Sequence, residues 1–191
     1  MNGKTKYSLA VAAVAALVVC GASFAKHPQK PTTQNAAAKP GEREMERLRF
    51  YVGDWNYTET YGKTPFYPTG GKNTGVYSSK LGPGGNSLLN SFHSQGPVGD
   101  FEGLIVMTWD PKENAYKGYV FGGDFPGCLV ETGQFEGDTL VFRGELSAGD
   151  VKVAIRNTTR LVVPGKITSA EYASTNGAPE ALMVTVEATR K

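Results

Sequence analysis

Residues 50–61 read Phe-Tyr-Val-Gly-Asp-Trp-Asn-Tyr-Thr-Glu-Thr-Tyr, and within them the period of the chain changes. Upstream, 41–50 is a charged, helix-like run that turns Met45, Leu48 and the stem of Arg49 toward one side. Gly53 breaks that pattern. From Trp55 onward the residues alternate, with Trp55, Tyr57 and Glu59 on one face and Asn56, Thr58 and Thr60 on the other. A short helix running through Gly-x-Trp into a strand suits the closed end of a barrel. The helix covers the opening, and the indole packs where the first strand joins the wall.

The remainder of the chain reads as strands separated by Gly, Pro, Asn and Asp turns. The expected strands cover 74–81, 86–95, 101–109, 115–122, 128–136, 139–146, 151–163, 166–174 and 181–190. Between the first strand and 74–81 lies a loop, 62–73, rich in Gly, Pro and Thr but carrying Phe66 and Tyr67. Such a loop suits a flap packed on the body or the rim of a pocket. The 24 glycines and 11 prolines among 191 residues are many for a helical protein and fit turns and bulges. The expectation is an all-β domain: about ten antiparallel strands in an up-and-down barrel, with a short N-terminal capping helix. Closure removes the exposed edges, and ten strands enclose more space than eight.

The domain is expected to span 41–191. Residues 1–25 carry a basic start (Lys4, Lys6), an apolar run and Ser23-Phe24-Ala25, the pattern of a signal peptide cleaved after Ala25. The apolar run is short for a membrane span. Residues 26–40, with three prolines and no apolar period, read as a flexible tether. These features predict a periplasmic or secreted protein. The alternative is a lipoprotein anchored through Cys20, although Val19 is larger than a lipobox normally accepts before the cysteine.

Loss of the leader removes two lysines and no acids, which takes the net charge from +2 to zero. A neutral domain lacks the basic face of a nucleic-acid binder. It also leaves Cys128 as the one cysteine, expected to be buried and inert, so no internal disulfide forms. Oligomeric state is not legible in the sequence.

Gly53-Asp54-Trp55 after a helix resembles the Gly-x-Trp signature of the calycins: lipocalins, fatty-acid-binding proteins and nitrobindin-like barrels. Three further stretches are similar to an uncharacterised family of bacterial lipocalin-like domains. They are Phe101-Glu-Gly103 leading to Thr108-Trp-Asp110-Pro, Tyr116 to Gly122-Gly-Asp124, and Glu187-Ala-Thr-Arg190. The resemblance runs from about Arg43 to Arg190 and implies a ten-stranded barrel with a central cavity. It brings no activity with it. Nitrobindin-like barrels hold haem through a late histidine, and no histidine follows His93 here, so haem is not expected. Calycins also cover the Gly-x-Trp indole with an arginine of the last strand, which implies Arg190 over Trp55.

Motifs for metal binding, nucleophilic catalysis and phosphate binding are missing, and no cofactor is expected. His93 and Glu59 are the weak catalytic candidates, a base and an acid if they meet, with Glu102 as a second acid. Arg143, Arg156 and Arg160 are candidate partners for Glu59. The aromatic set is the remaining signal. Trp55, Tyr57 and Phe92, then Met107 and Trp109, then Tyr119, Phe121 and Phe142 form either a filled core or the lining of a ligand cavity. The reading favoured is a non-enzymatic binder of a small hydrophobic molecule. Its alternatives are a barrel isomerase, cyclase or hydrolase acting on an apolar substrate, and a filled structural or interaction domain.

Overall fold

In a computed structural model of the chain, residues 41–123, 127–148 and 150–191 are described. The expected signal peptide, Cys20 and the tether lie outside them. Helix α1 is one short piece, Glu42–Glu46, followed by a 3-10 turn, Arg49–Tyr51. Ten strands follow: β1 Gly53–Tyr61, β2 Gly71–Leu81, β3 Ser87–Gly96, β4 Gly99–Asp110, β5 Ala115–Gly122, β6 Leu129–Glu136, β7 Thr139–Ala148, β8 Val151–Val163, β9 Lys166–Thr175 and β10 Ala181–Arg190. Each pairs antiparallel with its neighbour in sequence, and β10 returns to β1 to close the barrel. The closed, ten-stranded calycin-like barrel expected from the sequence is what forms.

Two strands begin earlier than the turn residues suggest. β2 starts at Gly71 because Lys72 and Asn73 pair with Thr60 and Glu59 of β1. β4 starts at Gly99, which pairs with Gly96 across a tight turn. The flap therefore shrinks to 62–70. Register shifts in the β8–β9 pairing between Leu161 and Val163, and in the β9–β10 pairing between Leu182 and Val184, bend the wall there.

The helix end is the solid end of the molecule. Met45, Leu48, Trp55, Leu88, Tyr116, Leu140, Ile167 and Ala188 are buried together under α1. The Trp55 indole N–H donates to the Tyr51 carbonyl at 2.8 Å, and the Tyr116 hydroxyl donates to the Glu44 carbonyl at 2.8 Å. The Arg190 guanidinium lies 4.7 Å from the centre of the Trp55 ring and also donates to the Phe50 carbonyl. That is the contact implied by the calycin resemblance. Arg49 does not pack on the domain as expected. It is exposed and pairs with Glu46, while Arg47 covers the Phe135 ring.

Candidate ligand-binding lumen

Strand pairing fixes which side chains point inward. Tyr57 faces Gly75, Phe92 faces Gly103 and Phe142 faces Gly133, each directly across a strand pair. A Cβ added at any of these glycines would stand 2.5–2.6 Å from atoms that include the facing ring. Each ring therefore lies along the wall over a glycine rather than across the barrel.

The burial of the inward residues varies along the barrel. Those nearest the helix are almost fully covered. At mid-height, Glu59, Phe92, Ile105, Val120, Ile155, Asn157, Ser169, Glu171 and Val186 keep partial exposure although they face the interior. Toward the far end, Tyr61, Asn73, Ser94 and Val184 are buried again. The flap closes that side of the rim, with Tyr67 edge-on to Tyr61 at 4.6 Å and Phe66 48% exposed. Leu146, Val153 and Thr175, on the other side, remain partly open.

The middle belt is polar as well as aromatic. The Glu59 carboxylate accepts hydrogen bonds from the Tyr61 hydroxyl at 2.8 Å and the Ser94 hydroxyl at 2.7 Å. Glu131 accepts from the Asn157 amide at 2.7 Å, and Glu171 sits directly opposite Asn157 in the β8–β9 pairing. Burial pushes the Glu131 carboxyl up to about 6, against which the Asn157 hydrogen bond works. Glu171 is pushed up to about 7, by burial first and then by the charges of Glu131 and Glu59. Tyr57 rises to about 12 through burial and the nearby Glu59 charge. Tyr51 reaches up from the 3-10 turn toward Thr159 and Glu131, and burial raises its hydroxyl too.

Several polar atoms of the inner wall have no partner. The Tyr57 and Tyr77 hydroxyls, the Ser79 hydroxyl and the Asn90 side-chain oxygen are buried without a hydrogen bond. A buried polar atom left unpaired costs roughly 1–3 kcal/mol, so a water molecule or a bound ligand is the physical expectation at such a place.

Of the residues expected to line a cavity, six face inward. Tyr57 and Phe142 are buried in the same core as Trp55 and Met107, Trp109 packs against that core, and Phe92 stays partly exposed on the inner wall. Tyr119 and Phe121 face outward, and Phe121 is 42% exposed. The turn after Asp110 pairs Trp109 with Tyr116, so the even-numbered Tyr116, Gly118 and Val120 continue the inner face of β5. Tyr119 and Phe121 instead form an outer patch with Leu104, Val106 and Val130.

His93 and Glu59 do not meet. His93 points outward and contacts Asp100 at 2.7 Å, while Glu59 lies inside. Glu102, directly opposite His93 in β4, shares the outer face. The arginines expected to pair with Glu59 are engaged outside as well: Arg143 with Glu136, Arg156 with Glu180 and Arg160 with Asp138. Cys128 is partly exposed rather than buried, because it precedes β6 instead of opening it.

Sequence reasoning missed Glu131, Glu171, Asn157, Asn90 and Tyr51. For Glu131 a signal existed, since it shares parity with Leu129, Gly133 and Phe135. β9, Lys-Ile-Thr-Ser-Ala-Glu-Tyr-Ala-Ser-Thr, alternates too weakly to place Glu171.

No protein-family model matches the chain, and no curated protein matches it. Solved structures do. The crystal structure of Rv2717c from M. tuberculosis superposes with a TM-score of 0.54 at 14% identity, over 77% of this chain and 96% of that one. The S-type phycobiliprotein lyase CPES from Guillardia theta gives a TM-score of 0.49 at 14% identity, over 78% and 92%. EF1p2_mFAP2b bound to DFHBI gives 0.42 at 13%, over 77% and 98%. At these identities the likeness is one of fold.

Proposed function

We propose that the barrel is a non-enzymatic carrier or receptor for a small molecule with a hydrophobic body, held in the lumen. The observation that supports this reading is the set of partly exposed inward residues between a sealed floor and a partly open rim. A filled structural barrel would bury its middle most deeply. This one keeps Glu59, Phe92, Asn157, Ser169 and Glu171 partly exposed on its inner face and lines that wall with flattened aromatic rings and unpaired polar atoms. Catalysis through His93 and Glu59 is disfavoured by their placement on opposite faces of the wall. The leader-like 1–25 and the tether-like 26–40 support a site of action outside the cytoplasm, which an intact mass of exported protein starting at Lys26 would bear out. A mass retaining 1–25, or a diacylglycerol on Cys20, would overturn it.

Native mass spectrometry of protein purified from its own envelope tests the binding reading, together with titration by the neutral dye Nile red. The expected result is a one-to-one adduct or one equivalent of dye, lost in Val186→Trp, which fills the belt, while the thermal transition persists. No adduct and no saturable dye binding would overturn it.

A further inference from the structure

We propose that the ligand of the lumen is an organic cation, a primary amine or amidine on an aromatic or aliphatic body, with its charged nitrogen between Glu171 and Glu131. This rests on the lumen being a small-molecule site.

The first ground is the sign of the charge. Glu59, Glu131 and Glu171 approach the same interior from β1, β6 and β9, and Glu131 and Glu171 meet at Asn157, which donates to Glu131 and stands directly opposite Glu171. Among the described residues no lysine or histidine shares the inner face of the strands, and the inward arginine, Arg190, is spent on the floor over Trp55. Among the described residues of the wall, no free positive charge offsets these groups. An anionic ligand such as a fatty acid would add to the repulsion. Among the described residues no three acidic, histidine or cysteine side chains converge closely enough to hold a metal ion. Carboxyls spread around a wall suit a polyatomic cation.

The second ground is independent of charge. The Asn90 side-chain oxygen can only accept, and it has no donor although Asn90 is 8% exposed. The hydroxyls of Ser79, 3% exposed, and Tyr57, 6% exposed, are equally unpartnered and can accept as well as donate. Tyr57 stands two residues from Glu59 on the same inner face of β1. Asn90 offers an oxygen that can only accept, and the hydroxyls of Ser79, Tyr57 and Tyr77 can each turn a lone pair toward a guest, so a donor-rich guest can satisfy all four. An ammonium carries three donors and no acceptor; an amidinium is likewise donor-only. The flattened rings of Tyr57, Phe92 and Phe142 offer faces to its apolar body and to its charge.

Isothermal titration with 2-naphthylmethylammonium, 2-naphthylmethanol and 2-naphthoate tests the proposal, since the three share one body and differ in charge. At pH 8 the ammonium should bind at least tenfold more tightly than the alcohol, and the carboxylate should not bind measurably. Glu171→Gln should cut ammonium affinity about tenfold and leave the alcohol unchanged. Glu131→Gln carries the same test should the first variant fold poorly. Going from pH 8 to pH 5 should weaken the ammonium alone, because Glu171 and Glu131 take up protons over that range. Burial raises both groups first; the charges of Glu131 and Glu59 add to it at Glu171, and the Asn157 hydrogen bond works against it at Glu131. Equal affinity for ammonium and alcohol, or glutamine variants that bind the ammonium as before, would overturn the cation and leave the lumen standing. Failure of all three probes and of Nile red would overturn both.

Discussion

At the scale of single residues, two contacts decide most. Trp55 is fully buried under the Arg190 guanidinium. Trp55→Ala should cost roughly 3–5 kcal/mol because it empties the floor. Arg190→Ala should cost less, since a cation–π contact contributes roughly 0.5–2 kcal/mol. Chemical denaturation of the single and double variants should give a coupling of at least about 0.5 kcal/mol; additive losses would mean the two only happen to be adjacent. The second contact is ring over glycine. An alanine at Gly133 would place its Cβ 2.5 Å from the Phe142 ring, so Gly133→Ala should destabilise by roughly 1–3 kcal/mol. Phe142→Leu in the same chain should recover part of that loss. The Trp55–Arg190 pair was legible because a closed meander must set its first and last strands side by side. Of the inward carboxyls, Glu59 was legible by its parity with Trp55 and Tyr57, and Glu171 was not. Parity within a strand is readable only where its faces differ in polarity, and 166–175 has serine, threonine and alanine on both.

Among the elements, the lid formed by α1 and the 3-10 turn tests whether the floor is structural. Leu48 is wholly buried, so Leu48→Ala should lower stability by roughly 2–5 kcal/mol. Tyr116→Phe, which removes only the hydrogen bond to the Glu44 carbonyl, should cost about 1 kcal/mol. Comparable losses from the two would show that the lid is held by its hydrogen bond rather than by its apolar face. Strand existence was legible throughout, and 115–122, 151–163 and 181–190 match in both limits. The helix is shorter than its pattern predicts. Leu48 and Met45 face the domain as their spacing implies, but Arg47 leaves the α-helix to reach Phe135 and the chain tightens into a 3-10 turn. Among the cavity assignments, strand parity misleads at β5 alone, since the face that Tyr119 and Phe121 take depends on how the preceding turn sets the pairing with β4.

Over the whole molecule, the raised carboxyls make stability fall with rising pH. A carboxyl with a folded pKa above its unfolded value holds its proton more tightly when folded. The cost is absent below about pH 4.5, builds as the unfolded chain ionises, and is complete above about pH 7, from the values of Glu131 and Glu171. The apo barrel should therefore melt at a higher temperature at pH 5 than at pH 8. Glu171→Gln should remove on the order of 1–3 kcal/mol of that difference, and a wild-type transition that rises with pH over this range would contradict it. The seam between β1 and β10 adds a kinetic liability. Nine of the ten strand pairings join neighbours in sequence and can form as soon as each hairpin exists. The tenth ties β1 to β10, with Arg190 bonded to a carbonyl 140 residues away and Lys191 to Asp54. Until it forms, the chain is an open ribbon with two raw edges, each able to pair with another ribbon. The wait is set by diffusion of a long loop rather than by local turns. Ribbon-to-ribbon pairing is thus a second-order hazard competing with a first-order closure, and the yield of barrel on refolding should fall with protein concentration.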